Sequence, residues 1–173
     1  LIQLGGLGVL TFSSAILLLI SKKIGFYTKK VVAEGLNHDA KFDIYSHIKK
    51  VVLVVISIEA IGAFLLFLHF YREYKFVTAF FYAIFHSISA FCNAGFSLFP
   101  NSLEIYKDNL FINLIITFLI ILGGIGFNTL IECWEYLRGK RRKVGVNSRH
   151  SIIITLILLA LGVFLFMVLE YNN

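Results

Sequence analysis

The chain has 173 residues, of which 58% are hydrophobic and 15% charged, against roughly 45 to 50% and about 25% in soluble domains. A mean hydropathy of +0.84, with 18 Phe and a single Pro, excludes both a water-soluble globule and a disordered segment. Sixteen Lys+Arg against ten Asp+Glu give a net charge of +6, but the basic residues lie between apolar runs, as in the flanks of membrane spans and unlike a nucleic-acid surface.

Residues 1–21 form the first charge-free apolar stretch, and it opens on Leu1 without a basic leader, so the chain is expected to be a piece of a longer protein. Residues 22–50 form a basic linker with seven lysines (Lys22, Lys23, Lys29, Lys30, Lys41, Lys49, Lys50), long enough for an amphipathic surface helix. A second span is predicted over 51–71. It carries one charge, Glu59, about nine residues in and therefore roughly 13 Å deep. The apolar stretch 76–99 is helix-like through Phe91 and then breaks into Cys92-Asn93-Ala94-Gly95-Phe96-Ser97, with Pro100 beyond. Spans over 110–131 and 151–169 follow, separated by a basic loop with Arg138, Lys140, Arg141, Arg142, Lys143 and Arg149. Each span has the roughly 20 residues that a 30 Å hydrocarbon layer requires.

Charge distribution sets the predicted topology. Thirteen of the sixteen basic residues lie in 22–50 and 138–149. If both loops are cytoplasmic, an even number of crossings separates them. The spans 51–71 and 110–131 supply two, so 76–99 is expected to enter and leave from the outer face as a re-entrant helix and loop. Irregular backbone at membrane depth survives only where protein encloses it or where it lines a wet cavity, and helix, re-entrant helix, loop, helix is the plan of a pore.

The chain also repeats itself. Ala60-Ile61-Gly62-Ala63-Phe64-Leu65 recurs as Ala160-Leu161-Gly162-Val163-Phe164-Leu165, at an offset of 100 residues. Leu4-Gly5-Gly6-Leu7-Gly8 recurs as Leu122-Gly123-Gly124-Ile125-Gly126, with Thr11 matched by Thr129, at an offset of 118. Two different helices are thus repeated in one order. The predicted organisation is the second helix of one repeat (1–21), a cytoplasmic basic linker (22–50), a complete helix-pore-helix repeat (51–137, with its re-entrant loop at about 76–99), a cytoplasmic basic loop (138–150) and the first helix of the next repeat (151–173). The glycine motif is not a phosphate cradle, because no P-loop lysine follows and no strand precedes it. Its glycines serve close helix packing, with a bend near a gate as the alternative.

A helix ending at Phe91 directs the negative end of its dipole at what lies beyond, which favours a cation. The following Asn93, Ala94, Gly95 and Phe96 are expected to be extended backbone whose carbonyls replace the hydration of a monovalent ion, with Gly95 free to aim them inward. An ordinary turn hinged at Gly95 is the alternative. Glu59 is either a hydrogen-bonded anchor for the re-entrant helix or an intramembrane acidic site that attracts a cation. His86, Ser87 and Ser89 are expected to make interior hydrogen bonds, with a proton relay as the alternative for His86. Asn113 and Asn128 are expected to bond between helices. Cys92 and Cys133 are expected as free thiols. The five histidines have no paired metal spacing, and no nucleophile, base and orienting acid converge, so an enzyme is not expected.

The run from His86-Ser87-Ile88-Ser89-Ala90-Phe91-Cys92-Asn93-Ala94-Gly95-Phe96-Ser97, followed by Leu122-Gly123-Gly124-Ile125-Gly126-Phe127, resembles the Trk/Ktr/HKT superfamily of potassium transporters, and is most similar to the membrane subunits of bacterial Trk and Ktr systems. The resemblance implies an all-α, potassium-channel-like membrane protein with four tandem helix-pore-helix repeats. This partial chain would hold the end of the first, the whole second and the start of the third. It further implies that Asn93, Ala94, Gly95 and Phe96 are the second repeat's share of a potassium selectivity filter. Sodium or protons are candidate coupling ions, and no organic cofactor is expected in this chain. Expected partners are a cytosolic nucleotide-binding regulatory ring, a second copy of the membrane subunit and the lipid bilayer, without nucleic acid. The location implied is the plasma membrane. The alternatives are another tandem-pore cation channel, or a membrane-embedded enzyme or assembly subunit whose re-entrant loop is purely structural.

Overall fold

The structure is a computed structural model that describes residues 1–3, 5, 6 and 44–170. Most of the expected span 1–21, and the expected linker as far as residue 43, lie outside the described residues. The first long helix, α1, is Ile44–Phe70. It begins seven residues before the apolar run, because Ile44 to Lys50 contains no Gly or Pro to stop it. At its far end the Tyr71 and Tyr74 amides bond to the Phe67 and Phe70 carbonyls at 2.9 and 2.8 Å, and the chain reverses into α2, Phe76–Phe91.

With 16 residues, α2 is about 24 Å long, short of the roughly 30 Å needed to cross. After it the chain runs through irregular structure and a single 3₁₀ turn, Glu104–Tyr106, into α3, Leu110–Ile125. Asn109 caps α3 by accepting a hydrogen bond from the Ile112 amide at 3.2 Å. The expected span 110–131 is broken within its glycine motif. The helix stops at Ile125, Gly126 takes φ 100° and ψ 142°, and α4, Phe127–Leu137, leaves at 107° to α3. That backbone geometry is essentially restricted to glycine. The last helix, α5, is Val146–Glu170.

Among the described residues all regular structure is helical. Among the described residues two helices, Lys49–Phe70 and Val146–Glu170, are long and apolar enough to cross a membrane, and the bent pair α3 and α4 makes a third if taken as one span. Two apolar clusters hold α1 to α4 together. One gathers Leu66, Phe70, Ala79, Ala83, Phe99, Tyr106 and Ile112 where α1 turns into α2. The other joins Val51, Val54 and Val55 of α1 to Phe91, Leu130 and Ile131. Between them the three helices meet at Gly62, where a Cβ would come within 2.8 Å of Leu119 and Ser87. By contrast, α5 buries only Ser148 and turns its apolar side chains outward.

Candidate functional site

The site begins where α2 ends. Asn93 has φ 53°, its amide bonds to the Ala90 carbonyl at 3.1 Å, and the Ala94 amide bonds to the Ser89 carbonyl at 2.9 Å. This pair of bonds around one left-handed residue is a Schellman cap, in which Asn takes the place glycine more often fills. The expectation of extended backbone from Asn93 onward is therefore corrected: Asn93 belongs to the capping turn, and the irregular segment runs over Ala94–Ser97. Gly95, at φ 71°, lies in that segment with Phe96. Asn93, Gly95 and Phe96 are all exposed. The cap also occupies the Ser89 and Ala90 carbonyls, so only the last carbonyls of the turn face what lies beyond.

Three side chains of α2 hold the returning loop. Ser89 Oγ donates to the Phe96 carbonyl at 2.7 Å, which directs one lone pair of that oxygen back at the helix. His86 lies 2.7 Å through Nδ1 from the Tyr82 carbonyl, and its Nε2 lies 3.1 Å from Ser97 Oγ and 3.4 Å from the Leu98 amide. Only the tautomer with its proton on Nδ1 serves all three partners. The ring also stacks on Phe99 at 4.8 Å between centroids. With both nitrogens engaged, His86 fits interior bonding rather than a relay. Ser87 Oγ donates to the Glu59 carbonyl at 2.7 Å, tying α2 to α1.

Glycines close the other side. The backbone of Gly123 packs directly on the Phe91 carbonyl, leaving no room for a Cβ. Across the turn, a Cβ on Gly6 would meet Cys92 Sγ at 2.7 Å. In the second glycine motif Gly123 gives the expected close packing, and Gly126 carries a bend, the alternative reading of the motif. A cavity of about 220 Å³ remains between α2, the loop and α3, bordered by Ser89, Asn93, Gly95, Phe96 and Ile120 among others.

Glu59 is buried, with 6% of its surface exposed. Its Oε2 accepts from Gln3 Nε2 at 2.7 Å, and Cys92 Sγ lies 4.0 Å from Oε1. The acid thus touches the residue just before the capping turn, as an anchor for the re-entrant helix would. Asn113 differs from expectation. Its amide donates to the Tyr106 and Lys107 carbonyls at 3.1 and 2.9 Å, so it fastens the loop before α3 instead of bridging helices. Asn128 is exposed. Cys92 and Cys133 are free thiols.

Sequence reasoning missed a charge network at the opposite end. Lys50 Nζ pairs with Glu135 at 2.8 Å, and Arg141 bridges Glu132 at 3.1 Å and Glu135 at 2.9 Å. The Gly145 amide donates to Glu132 at 2.9 Å. Bonds from the Ser148 hydroxyl and the Gly145 amide, with Arg141 nearby, hold the Glu132 carboxyl below the usual carboxylate range. The Lys50 ammonium does the same for Glu135.

Comparison with known proteins bears on this arrangement. The family model described as TrkH, cation transport protein, matches residues 1–172. All 173 residues align with the Ktr system potassium uptake protein B of Bacillus subtilis at 39% identity, and with that of Vibrio alginolyticus at 32%. They also align with the potassium/sodium uptake protein NtpJ of Enterococcus hirae at 32% identity. The chain spans 38% of the length of each of these relatives. A short helix that turns back on an irregular loop, closed by a glycine of the next helix, is thus found in a chain that belongs to the TrkH family of cation transport proteins.

Proposed function

We propose that this chain is one section of the membrane subunit of a Trk/Ktr-type potassium uptake system, and that Asn93, Ala94, Gly95 and Phe96 contribute to its selectivity filter. The observation that carries the reading is the end of α2. A helix too short to cross stops in a Schellman turn, and an exposed irregular strand with Gly95 at positive φ follows it. Such a segment is costly at membrane depth unless it lines a polar path. Its carbonyls would stand in for the water around a potassium ion, with the negative end of the α2 dipole behind them. The names of the relatives, potassium uptake protein and potassium/sodium uptake protein, support potassium as the transported ion.

The tandem organisation belongs to the same proposal: 1–21 ends one repeat, 51–137 is a complete one and 151–173 begins the next. Two glycines support it. Gly62 sits at a crowded three-helix crossing, while its repeat counterpart Gly162 has open space around it among the described residues, as would a first helix without its own pore helix and second helix beside it. Glu59 anchors the re-entrant helix in this reading. The basic segments 22–50 and 138–149 face the cytoplasm, where a nucleotide-binding regulatory ring docks, and two membrane subunits pair. Sodium or protons are the candidate coupling ions, and the protein is a multi-pass protein of the plasma membrane.

Rubidium uptake by the full-length protein in potassium-transport-deficient cells tests the filter. Gly95→Val should abolish uptake or its preference for potassium over sodium, since φ 71° is strained for a branched residue. Unchanged uptake with unchanged preference would remove the assignment.

A further inference from the structure

Where α4 ends, its C-terminus is fixed as tightly as that of α2. Gly139 takes φ 69°, its amide bonds to the Tyr136 carbonyl at 3.0 Å, and the Lys140 amide bonds to the Glu135 carbonyl at 2.9 Å, a second Schellman cap. The turn places two cations, Arg138 and Lys140, on the rim of a cavity of about 150 Å³ between α1 and α4. Its walls are Leu53, Val54, Ile131 and Trp134.

The charges divide unevenly. Glu135, the only carboxylate among the described residues that lines this cavity, is already shared by Lys50 and Arg141. Arg138 and Lys140 form no ion pair among the described residues. Arg138 instead lies over the Trp134 ring, 4.5 Å from its centroid, an arrangement that holds the guanidinium in place and leaves its edge free for an anion. The cavity also lies at the right depth. Lys50 directly precedes the apolar run of α1, and α4 turns 107° from α3, so a membrane-normal α3 sets α4 along the interface, with Trp134 among the headgroups.

We propose that this cavity binds the headgroup of one anionic phospholipid, its phosphate held by Arg138 and Lys140 and its acyl chains continuing along the exposed apolar face of α1 at Leu53 and Ile56. The inference rests on the chain being a membrane protein but not on the filter assignment. Apolar walls open to the bilayer beneath a cationic rim complement a lipid; an acidic protein segment would need polar partners along its length, whereas Lys50 and Glu135, which also line the cavity, are already paired with each other.

The test is native mass spectrometry of the full-length protein titrated with phosphatidylglycerol or phosphatidylcholine. Wild type should retain phosphatidylglycerol preferentially. The double variant Arg138→Gln, Lys140→Gln should weaken its retention roughly fivefold per charge removed. The double variant Arg142→Gln, Lys143→Gln removes the same charge from exposed positions outside the cavity and should change retention less than twofold. Equal losses in both double variants would reduce the site to a diffuse basic patch and overturn the proposal. So would equal retention of the two lipids by wild type, or displacement of phosphatidylglycerol by excess inorganic phosphate. Rubidium uptake lost in the Gly95 variant while lipid retention persists separates this site from the filter reading.

Discussion

The hydroxyl of Ser89 and the carbonyl of Phe96 are seven residues apart in sequence and 2.7 Å apart in space, and that bond determines which way one carbonyl of the proposed filter turns. Its net worth to stability is about 1 kcal/mol, too small to decide folding but large enough to decide the orientation of a flexible loop. Ser89→Ala is therefore expected to leave the protein folded and to lower its preference for potassium over sodium. Ser89→Thr, which keeps the hydroxyl, should retain it. Rubidium uptake measured against rising sodium reads the difference, and equal sodium inhibition in wild type and Ser89→Ala would show that the bond does not shape the proposed filter. The residue types on α2 were legible in sequence, because a serine and a histidine on an apolar helix need interior partners. Which carbonyls they serve was not, since that depends on how the loop returns.

At the scale of elements, the length of α2 could be read directly: sixteen mostly apolar residues end at Cys92-Asn93-Ala94-Gly95, and no helix continues through them. The break between α3 and α4 could not be located. Gly123, Gly124 and Gly126 look alike in sequence, and only packing separates them: Gly123 sits against the Phe91 carbonyl, Gly124 has open space and Gly126 carries the positive φ. Gly126→Ala should cost about 1 to 3 kcal/mol, seen as a lower melting temperature, whereas in a straight helix the same change would stabilise. Asn113 was misread for a related reason, since its partners are the carbonyls of a loop whose path the sequence does not give. The Lys50 to Glu135 pair spans 85 residues and has no local signature.

The Glu132 network gives a pH dependence with a definite sign. Its carboxyl, just past the apolar stretch that ends at Ile131, is held below its ordinary value of 4.5 by the Ser148 hydroxyl and the Gly145 amide. A carboxyl whose folded value is depressed stabilises the native arrangement above the unfolded value and loses that contribution as pH falls through the folded one. The attachment of loop 138–145 to α4 should thus be complete at neutral pH and weaken only as pH falls below the ordinary carboxylate value of 4.5. The Glu132 carboxyl carbon, followed by NMR in the labelled protein, should titrate below 4.5. Glu132→Gln should make the loop more readily cleaved by trypsin at neutral pH, and wild-type levels of cleavage in that variant would contradict the role given to the network.

For the molecule as a whole, the repeat makes a prediction about a residue that touches nothing here. The 118-residue offset pairs Gly6 with Gly124. In the proposed tandem arrangement Gly6 would belong to the second helix of one repeat and Cys92 to the end of the next repeat's pore helix; a Cβ on Gly6 would come within 2.7 Å of the Cys92 thiol. If the repeats follow one another around a common axis, Gly124 stands in the same relation to a pore helix that follows residue 170, and its open surroundings are those of half an interface. Gly124→Ala should then lower the melting temperature of the full-length protein, or its yield, as much as Gly6→Ala does, because overpacking such a contact costs about 1 to 3 kcal/mol. From the contacts among the described residues alone, Gly124→Ala would instead be harmless, since a Cβ there meets none of their atoms within 4 Å. A destabilised Gly6→Ala protein beside an unaffected Gly124→Ala protein would mean that the two motifs do not share an environment, and the tandem arrangement would fail with them.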